Sequence, residues 1–313
     1  MTAGAPRVGV VGTGMVGSAL IRRLVASHAV TVTALSSDDL ADGPEGVDVV
    51  VLCTPDGGQT DEARVALAAG CHVVSLADSL ATVSSLLGLE DYAAEVGRSV
   101  VVGAAASPGL TTTLAVHASA LFDEVDEISV AASGVAGPAC AERRARASRT
   151  DSQEWRDGRW SDVVARSGSE LVWFPDPVGA VDCGRGDLSE GILLHRLLRE
   201  VPTISVRVAR DASVVARPRV RRRSRSDGGP TPEAGGVLAS VTGRVDGASS
   251  TVVYACVAPA AVSSSALAAV VTRRLLDGGA PPVATVVDVA RPVELLRDLA
   301  AMGVRSLVFE GVA

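Results

Sequence analysis

The chain has 313 residues, 47% of them hydrophobic and 21% charged. That is enough apolar material for about two globular domains, and it excludes a disordered chain, a collagen-like repeat and a small scaffold stapled by disulfides. A net charge of −7 argues against a nucleic-acid-binding protein, and because all 29 basic residues are arginine, no lysine is present to form a Schiff base or reach a phosphate from a P-loop.

Residues 8–11 read as a short apolar strand that ends at Gly12. Thr13-Gly14-Met15-Val16-Gly17 follows, and then a helical pattern to residue 25. This is strand, GxGxxG, helix. The first glycine permits a tight turn, the second lets backbone approach a pyrophosphate and the third lets helix pack on strand, so Gly12, Thr13, Gly14, Met15, Val16 and Gly17 are candidate dinucleotide contacts. A second strand, residues 29–35, ends in Ser36-Ser37, where the acid that reads a ribose 2′-hydroxyl usually falls. Hydroxyls at that tip favour NADP. NAD stays as the second choice, since Asp38 follows directly.

Strands at 47–52, 71–76 and 99–102 alternate with helices at 59–69, through residue 97, and at 111–121, which predicts a doubly wound parallel sheet. Its ligand edge is the carboxyl end of the strands, which places Cys53, Thr54 and Pro55 beside the cofactor, together with Ser107 and Pro108 in the run Gly103 to Leu110. Cys53 is expected to be a buried structural thiol. Asp78, at the end of another strand, reads either as a substrate contact, serving an ammonium group or a proton relay, or as a helix cap.

The runs CHVVSLADS (71–79), AAASPGLTTTLA (104–115), WRDGRW (155–160), WFPDPVGAVDC (173–183) and TGRVDGASSTVVY (242–254) together resemble the saccharopine dehydrogenase-like oxidoreductases. The resemblance implies a Rossmann domain over residues 1–122, a substrate and dimerisation domain with a mixed or antiparallel α+β sheet over 123–281, and a C-terminal segment, 282–313, that returns to the first domain. It also implies reduction of a C=N bond, or oxidation of a C–N bond, on a small amino-acid-derived metabolite with NADP(H) or NAD(H). A reductase of the glucose-fructose oxidoreductase type, acting on C–O bonds, and a dinucleotide-binding protein without turnover are the alternatives. The chain departs from the fungal saccharopine reductases in having Ser107-Pro108-Gly109 where they have Asp-Pro-Gly, and Leu76-Ala77-Asp78-Ser79 where they have a tyrosine-containing turn.

After a strand at 127–132, Ser133-Gly134 breaks the pattern and Gly137-Pro138 opens a helix carrying Arg143, Arg144, Arg146 and Arg149. By resemblance the glycine turn lies over the nicotinamide. Gly134, Arg143, Arg144 and Arg146 are then candidate substrate contacts, the arginines as bidentate carboxylate partners or, alternatively, solvated surface charges, with Arg143 and Arg146 on one helix face. Trp155 and Trp160 flank an Asp-Gly hairpin turn and are expected to pack on the sheet. His195 is a candidate proton donor, so Asp78, Ser133 and His195 form the candidate catalytic set. Asp182 and Asp187 flank an irregular stretch able to approach the cleft.

None of the four histidines has metal-ligand spacing, so no metal is expected. Residues 251–271 carry no charge, but Pro259 and Ser263 to Ser265 favour a strand and a capped helix over a membrane span. Five cysteines without a CxxC pair and no leader pattern point to the cytoplasm. The run Arg217, Arg219, Arg221, Arg222, Arg223 and Arg225 reads as a solvated strand end. A small-molecule substrate and a homo-oligomer complete the expectation. A helix at 292–302 and a strand at 305–309 close the chain and are expected on the Rossmann domain.

Overall fold

The computed structural model describes residues 5–55, 57–210 and 234–311. The arginine-rich run between Arg217 and Arg225 lies outside the described residues.

The first domain is built from β1 (Arg7–Val11), α1 (Met15–Ser27), β2 (Thr31–Leu35), α2 (Ser37–Ala41), β3 (Val49–Leu52), α3 (Gln59–Ala68), β4 (His72–Ser75), α4 (Leu80–Leu87), α5 (Glu90–Glu95), β5 (Val100–Val102) and α6 (Leu110–Ser119). Its strands are parallel and lie in the order β5-β4-β3-β1-β2. β3 is Val-Val-Val-Leu and β5 Val-Val-Val, buried along their whole length, as expected of a parallel strand covered by helices on both faces. α1 turns Gly17, Leu20 and Leu24 inward at three- and four-residue spacing and leaves the rest half-buried or exposed. This doubly wound sheet is the expected one.

The second domain follows as β6 (Glu124–Ser133), α7 (Pro138–Ala147), β7 (Ser152–Arg156), β8 (Arg159–Val163), β9 (Glu170–Phe174), β10 (Gly179–Gly184), α8 (Glu190–Leu197), β11 (Thr203–Ala209), β12 (Gly235–Val245) and β13 (Ala248–Ala258). The chain ends in α9 (Ala260–Gly278), β14 (Val283–Thr285), α10 (Val286–Val289), α11 (Pro292–Ala301) and β15 (Ser306–Gly311). The second sheet runs β15-β13-β12-β6-β11-β10-β9, with β7 and β8 branching from β11. Only β6 and β11 pair in parallel, which makes it the mixed sheet that was expected.

Two features differ from the sequence reading. α9, expected in the second domain, packs against α1, and Arg23 Nε donates to Ser265 Oγ at 3.1 Å. Its start is Pro259, with no side-chain cap, while Ser263, Ser264 and Ser265 are buried inside the helix. Among the described residues no helix is long and apolar enough to cross a membrane. The tail then divides: β14 joins the first sheet beside β5, as expected of a returning segment, but β15 pairs with β13 in the second sheet. The cause is that β13 offers an open antiparallel edge. α6 lies between the two sheets, and its Leu110, Thr111, Thr112, Thr113, Leu114, Ala115, Ala118 and Ser119 are all buried. One core therefore runs from Val8 and Leu24 through Leu114 and Leu267 to Ile128 and Val237. That continuous packing holds the two ligand-facing edges in fixed relation.

Candidate functional site

A cleft lies between the carboxyl ends of the first sheet and the start of α7. On the first domain it is lined by the turn before α1, by Cys53, Thr54 and Pro55 after β3, by Leu76, Ala77 and Asp78 after β4, and by Ala105, Ala106 and Ser107 after β5. The facing wall is Ala136, Gly137, Pro138, Ala139 and Cys140 with Arg143 and Arg144, and α9 adds Ala260 and Ser264. Chain segments far apart in sequence thus meet at the topological edge where open α/β sheets bind ligands.

The three glycines differ in a telling way. Gly12 has φ +90°, and a Cβ there would lie 2.9 Å from the Cys53 carbonyl. A Cβ on Gly17 would collide with the Gly12 carbonyl oxygen, so this glycine sets the helix-to-strand distance. Gly14 has open space where a Cβ would go. It caps α1 with extended backbone, and the N–H groups of the first turn beyond it have no partner within the helix. The result is a concave, donor-rich cradle at the positive end of a helix dipole. Met15, half exposed, reaches across to Gly137, whose Cβ position lies 2.8 Å from its Sδ.

The β2 tip departs from the sequence reading. Ser36 caps α2 in a reciprocal box: its N–H and its Oγ both reach Asp39 Oδ2, at 2.8 and 2.7 Å, and Asp39 N–H returns a bond to Ser36 Oγ. Ser37 Oγ donates to Glu62 Oε1 at 3.0 Å, and Thr54 Oγ1 donates to Glu62 Oε2 at 2.7 Å. Both serine hydroxyls are therefore directed at carboxylates. Glu62 had no signal in the sequence, because an acid in the first turn of a helix ordinarily faces water. Behind Thr54, Gln59 Nε2 donates to the Thr54 carbonyl at 2.7 Å and Gln59 Oε1 accepts from Ser75 Oγ at 2.6 Å, fixing the loop from inside. Burial pushes the Cys53 thiol up to about 12, which leaves it unreactive despite its place on the wall.

Asp78 is not the cap of α4. Ser79 takes that role, accepting from Thr82 N–H, while Asp78 Oδ1 lies 3.0 Å from Arg143 Nε. Arg143 Nη2 reaches the Asp187 carbonyl at 2.9 Å and its Oδ2 at 3.3 Å, and Asp187 Oδ1 accepts from Leu80 N–H. Asp187 thus meets Arg143, which lines the cleft, without lining it itself, and an Asp78–Arg143–Asp187 bridge ties the start of α4 to α7. Arg144 is also buried, and its Nε and Nη1 find no hydrogen-bond partner among the described residues. Arg146 is mostly exposed, lies 3.8 Å from Glu142, and is not among the residues that line the cleft. Arg143 and Arg146 do not share a burial environment, because Arg143 and Arg144 are the pair turned toward the protein.

Two further expected residues lie elsewhere. Ser133 Oγ accepts from Gly236 N–H at 3.0 Å, and Gly134, at φ +79°, sits with its Cβ position 2.6 Å from Gly235 Cα. Both hold β6 to β12 and neither lines the cleft. His195 stacks on Trp155 with ring centroids 3.8 Å apart and meets Trp160 edge-on, and burial lowers its pKa. It belongs to an aromatic cluster on the sheet, where the two tryptophans were expected. Pro108 packs beneath the site, against the Cβ position of Gly103.

One residue at the cleft floor was missed. Ser107 Oγ donates to Oε1 of Glu190, the first residue of α8, whose carboxyl is fully buried. Glu190 Oε2 has no partner among the described residues. Burial raises its pKa, against the opposing pull of the Ser107 hydrogen bond and the charges of Arg144 and Arg143. Among the described residues no group of three His, Cys, Asp or Glu side chains is placed to hold a metal ion.

No protein-family model matches the sequence, and no curated protein matches it. Solved structures do. Apo saccharopine dehydrogenase (L-Glu forming) from Saccharomyces cerevisiae superimposes with a TM-score of 0.68 at 13% identity, over 98% of this chain and 100% of that one. DAP dehydrogenase of C. glutamicum in complex with DAP gives 0.55 at 17% identity, over 95% and 98%. An engineered D-amino acid dehydrogenase bound to NADP+ gives 0.52 at 17% identity, over 95% and 99%. What these proteins share with the chain, end to end, is the fold: a doubly wound domain, an inserted mixed sheet, and a chain that crosses back between them.

Proposed function

We propose that the protein is an NAD(P)(H)-dependent oxidoreductase that acts on the C=N or C–N bond of a small, carboxylated, amino-acid-derived metabolite. The observation that carries the reading is the open Gly14 cradle in the same cleft as Arg144. The cradle fits a pyrophosphate, since Gly12 and Gly17 leave no room for side chains while Gly14 leaves space for a ligand. When bound, the dinucleotide supplies hydride chemistry.

The chain's own residues do the rest. First-turn N–H groups at Met15 and Val16 receive the phosphates, and Thr54, Pro55, Ala105 and Ala106 form the wall beside the reacting ring. Arg144, whose Nε and Nη1 have no hydrogen-bond partner among the described residues, takes the substrate carboxylate. Arg143, tied to Asp78 and Asp187, positions the start of α7 and does not contact the substrate directly. The saccharopine, DAP and D-amino acid dehydrogenases that share the fold support a C–N substrate, and the NADP+ bound to the last of them supports the cofactor class.

The reading includes a cytoplasmic homo-oligomer, supported by the half-exposed Leu307, Val308 and Phe309 on the edge strand β15; light scattering measures its mass. A panel of carboxylated imines and of ketones, each with NADH and NADPH, tests the function by loss of dihydronicotinamide absorbance. Turnover of imines is expected. Turnover of ketones alone would overturn the C–N assignment.

A further inference from the structure

The functional reading leaves one requirement open. Reducing a neutral imine takes a hydride at carbon and a proton at nitrogen, and the expected donors do not reach the cleft: Ser133 is bonded into the sheet and His195 is stacked on tryptophan. Asp78 Oδ1 is engaged by Arg143 Nε at 3.0 Å.

Glu190 is different. Among the described residues around the cleft, it is the one whose carboxyl is both fully buried and in direct contact with a residue that lines the cleft. An ionised carboxylate with a buried, unpartnered oxygen is costly in a low-dielectric setting, so the group retains a proton more readily than an exposed glutamate. The charged groups that act on it are Arg143 and Arg144, both on α7. Arg143 is already engaged by Asp78 and Asp187, which leaves Arg144 to balance a negative charge when one forms.

We propose that Glu190 and Ser107 form a proton relay, with Ser107 Oγ as the group that protonates the substrate nitrogen and Glu190 as the buried proton store behind it. The inference rests on the functional reading above. With the carboxyl proton on Oε1, Glu190 donates to Ser107 Oγ and frees the hydroxyl proton to point into the cleft. In the reducing direction the C=N π bond would break as hydride supplied by a bound reduced nicotinamide dinucleotide forms the new C–H bond, and the π electron pair left on nitrogen would take the Ser107 proton. The Glu190 proton passes to Ser107 Oγ in the same step. The carboxylate left behind faces the positive charge of Arg144, and it regains a proton through Ser107 once product leaves. In the oxidising direction the same atoms carry the proton out. The design substitutes for an acid placed directly on the corner: a serine at position 107 is competent because a carboxyl stands behind it.

Two measurements test the relay. Infrared spectra of the whole protein labelled with 13C-glutamate, near pH 7, are expected to show a protonated-carboxyl stretch that E190Q lacks. Absence of that band from the unsubstituted protein overturns the proposal without any turnover being needed. In the imine assay, E190Q and S107A are each expected to lower kcat by about 100-fold while dinucleotide Kd stays within about twofold and Tm is retained. In the unsubstituted protein kcat falls as pH rises through the Glu190 pKa, and E190Q loses that limb. E190Q keeps a side chain able to bond Ser107, so a purely structural role predicts unchanged kcat and an unchanged pH profile, which would overturn the relay alone. No imine turnover by the unsubstituted protein would overturn the functional reading, and the relay with it.

Discussion

The two walls of the cleft are made in different ways. The first-domain wall is mostly backbone and small side chains, and its shape comes from glycines and valine-rich strands that are local in sequence. The second-domain wall carries charge: Arg143 on it and Glu190 behind it are held in place by partners more than 40 residues away in the chain. The first wall makes a generic anion cradle. The second must be assembled by folding before it can select a substrate.

The sharpest test of the backbone wall is Gly17→Val, which drives a branched side chain into the Gly12 carbonyl. Neither strand nor helix can yield without breaking the sheet edge, so the loss is expected to exceed about 3 kcal/mol, read as a fall in Tm of roughly 6 °C or more. A variant with normal Tm would mean that α1 does not sit as close to β1 as described. On the charged wall, Arg143→Met removes the guanidinium that bridges Asp78 and Asp187, and a loss of about 3 kcal/mol is expected in urea unfolding. Asp78→Asn leaves Arg143 its Asp187 contacts and should cost less than Arg143→Met.

The β2 tip offers a gentler test. Glu62 accepts from both Ser37 and Thr54, so the hydroxyls that suggested NADP stand next to negative charge. Glu62→Gln keeps a hydrogen-bonding side chain and removes that charge, and it is expected to shift the ratio of NADPH to NADH affinity toward NADPH by about fivefold. An unchanged ratio would detach Glu62 from ribose reading. The smallest effect belongs to Arg146→Ala: the side chain is exposed and its ion pair with Glu142 is long, so Tm should stay within about 1 °C.

The contrast also explains what the sequence made legible. Strand, glycine turn and helix are set by nearest neighbours and by short-period patterning, so Gly12, Gly14, Gly17 and the loops at Thr54, Asp78 and Ser107 could be placed before any coordinates. Glu190 could not, because an acid in the first turn of a helix reads as a solvated residue whether or not a second domain covers it. Asp78 shows the same limit: its position at a strand end was readable, but its partner Arg143 depends on the docking of α7. Arg146 was misplaced because helical spacing fixes relative angle and not which face meets the protein. β15 was assigned to the wrong sheet because a short strand such as Ser306–Gly311 carries no mark of which open edge it will join.

The proposed function stands on dinucleotide binding at the Gly14 cradle. Calorimetric titration of NADH and NADPH into the unsubstituted protein and into Gly14→Val tests it most directly. A Cβ at Gly14 meets nothing within 4 Å, so the variant is expected to keep its Tm. Its added methyls fill the space the pyrophosphate needs, so Kd for both dinucleotides is expected to rise by about tenfold or more. Equal affinity in the two proteins, or no binding of either dinucleotide by the folded unsubstituted protein, would contradict the account.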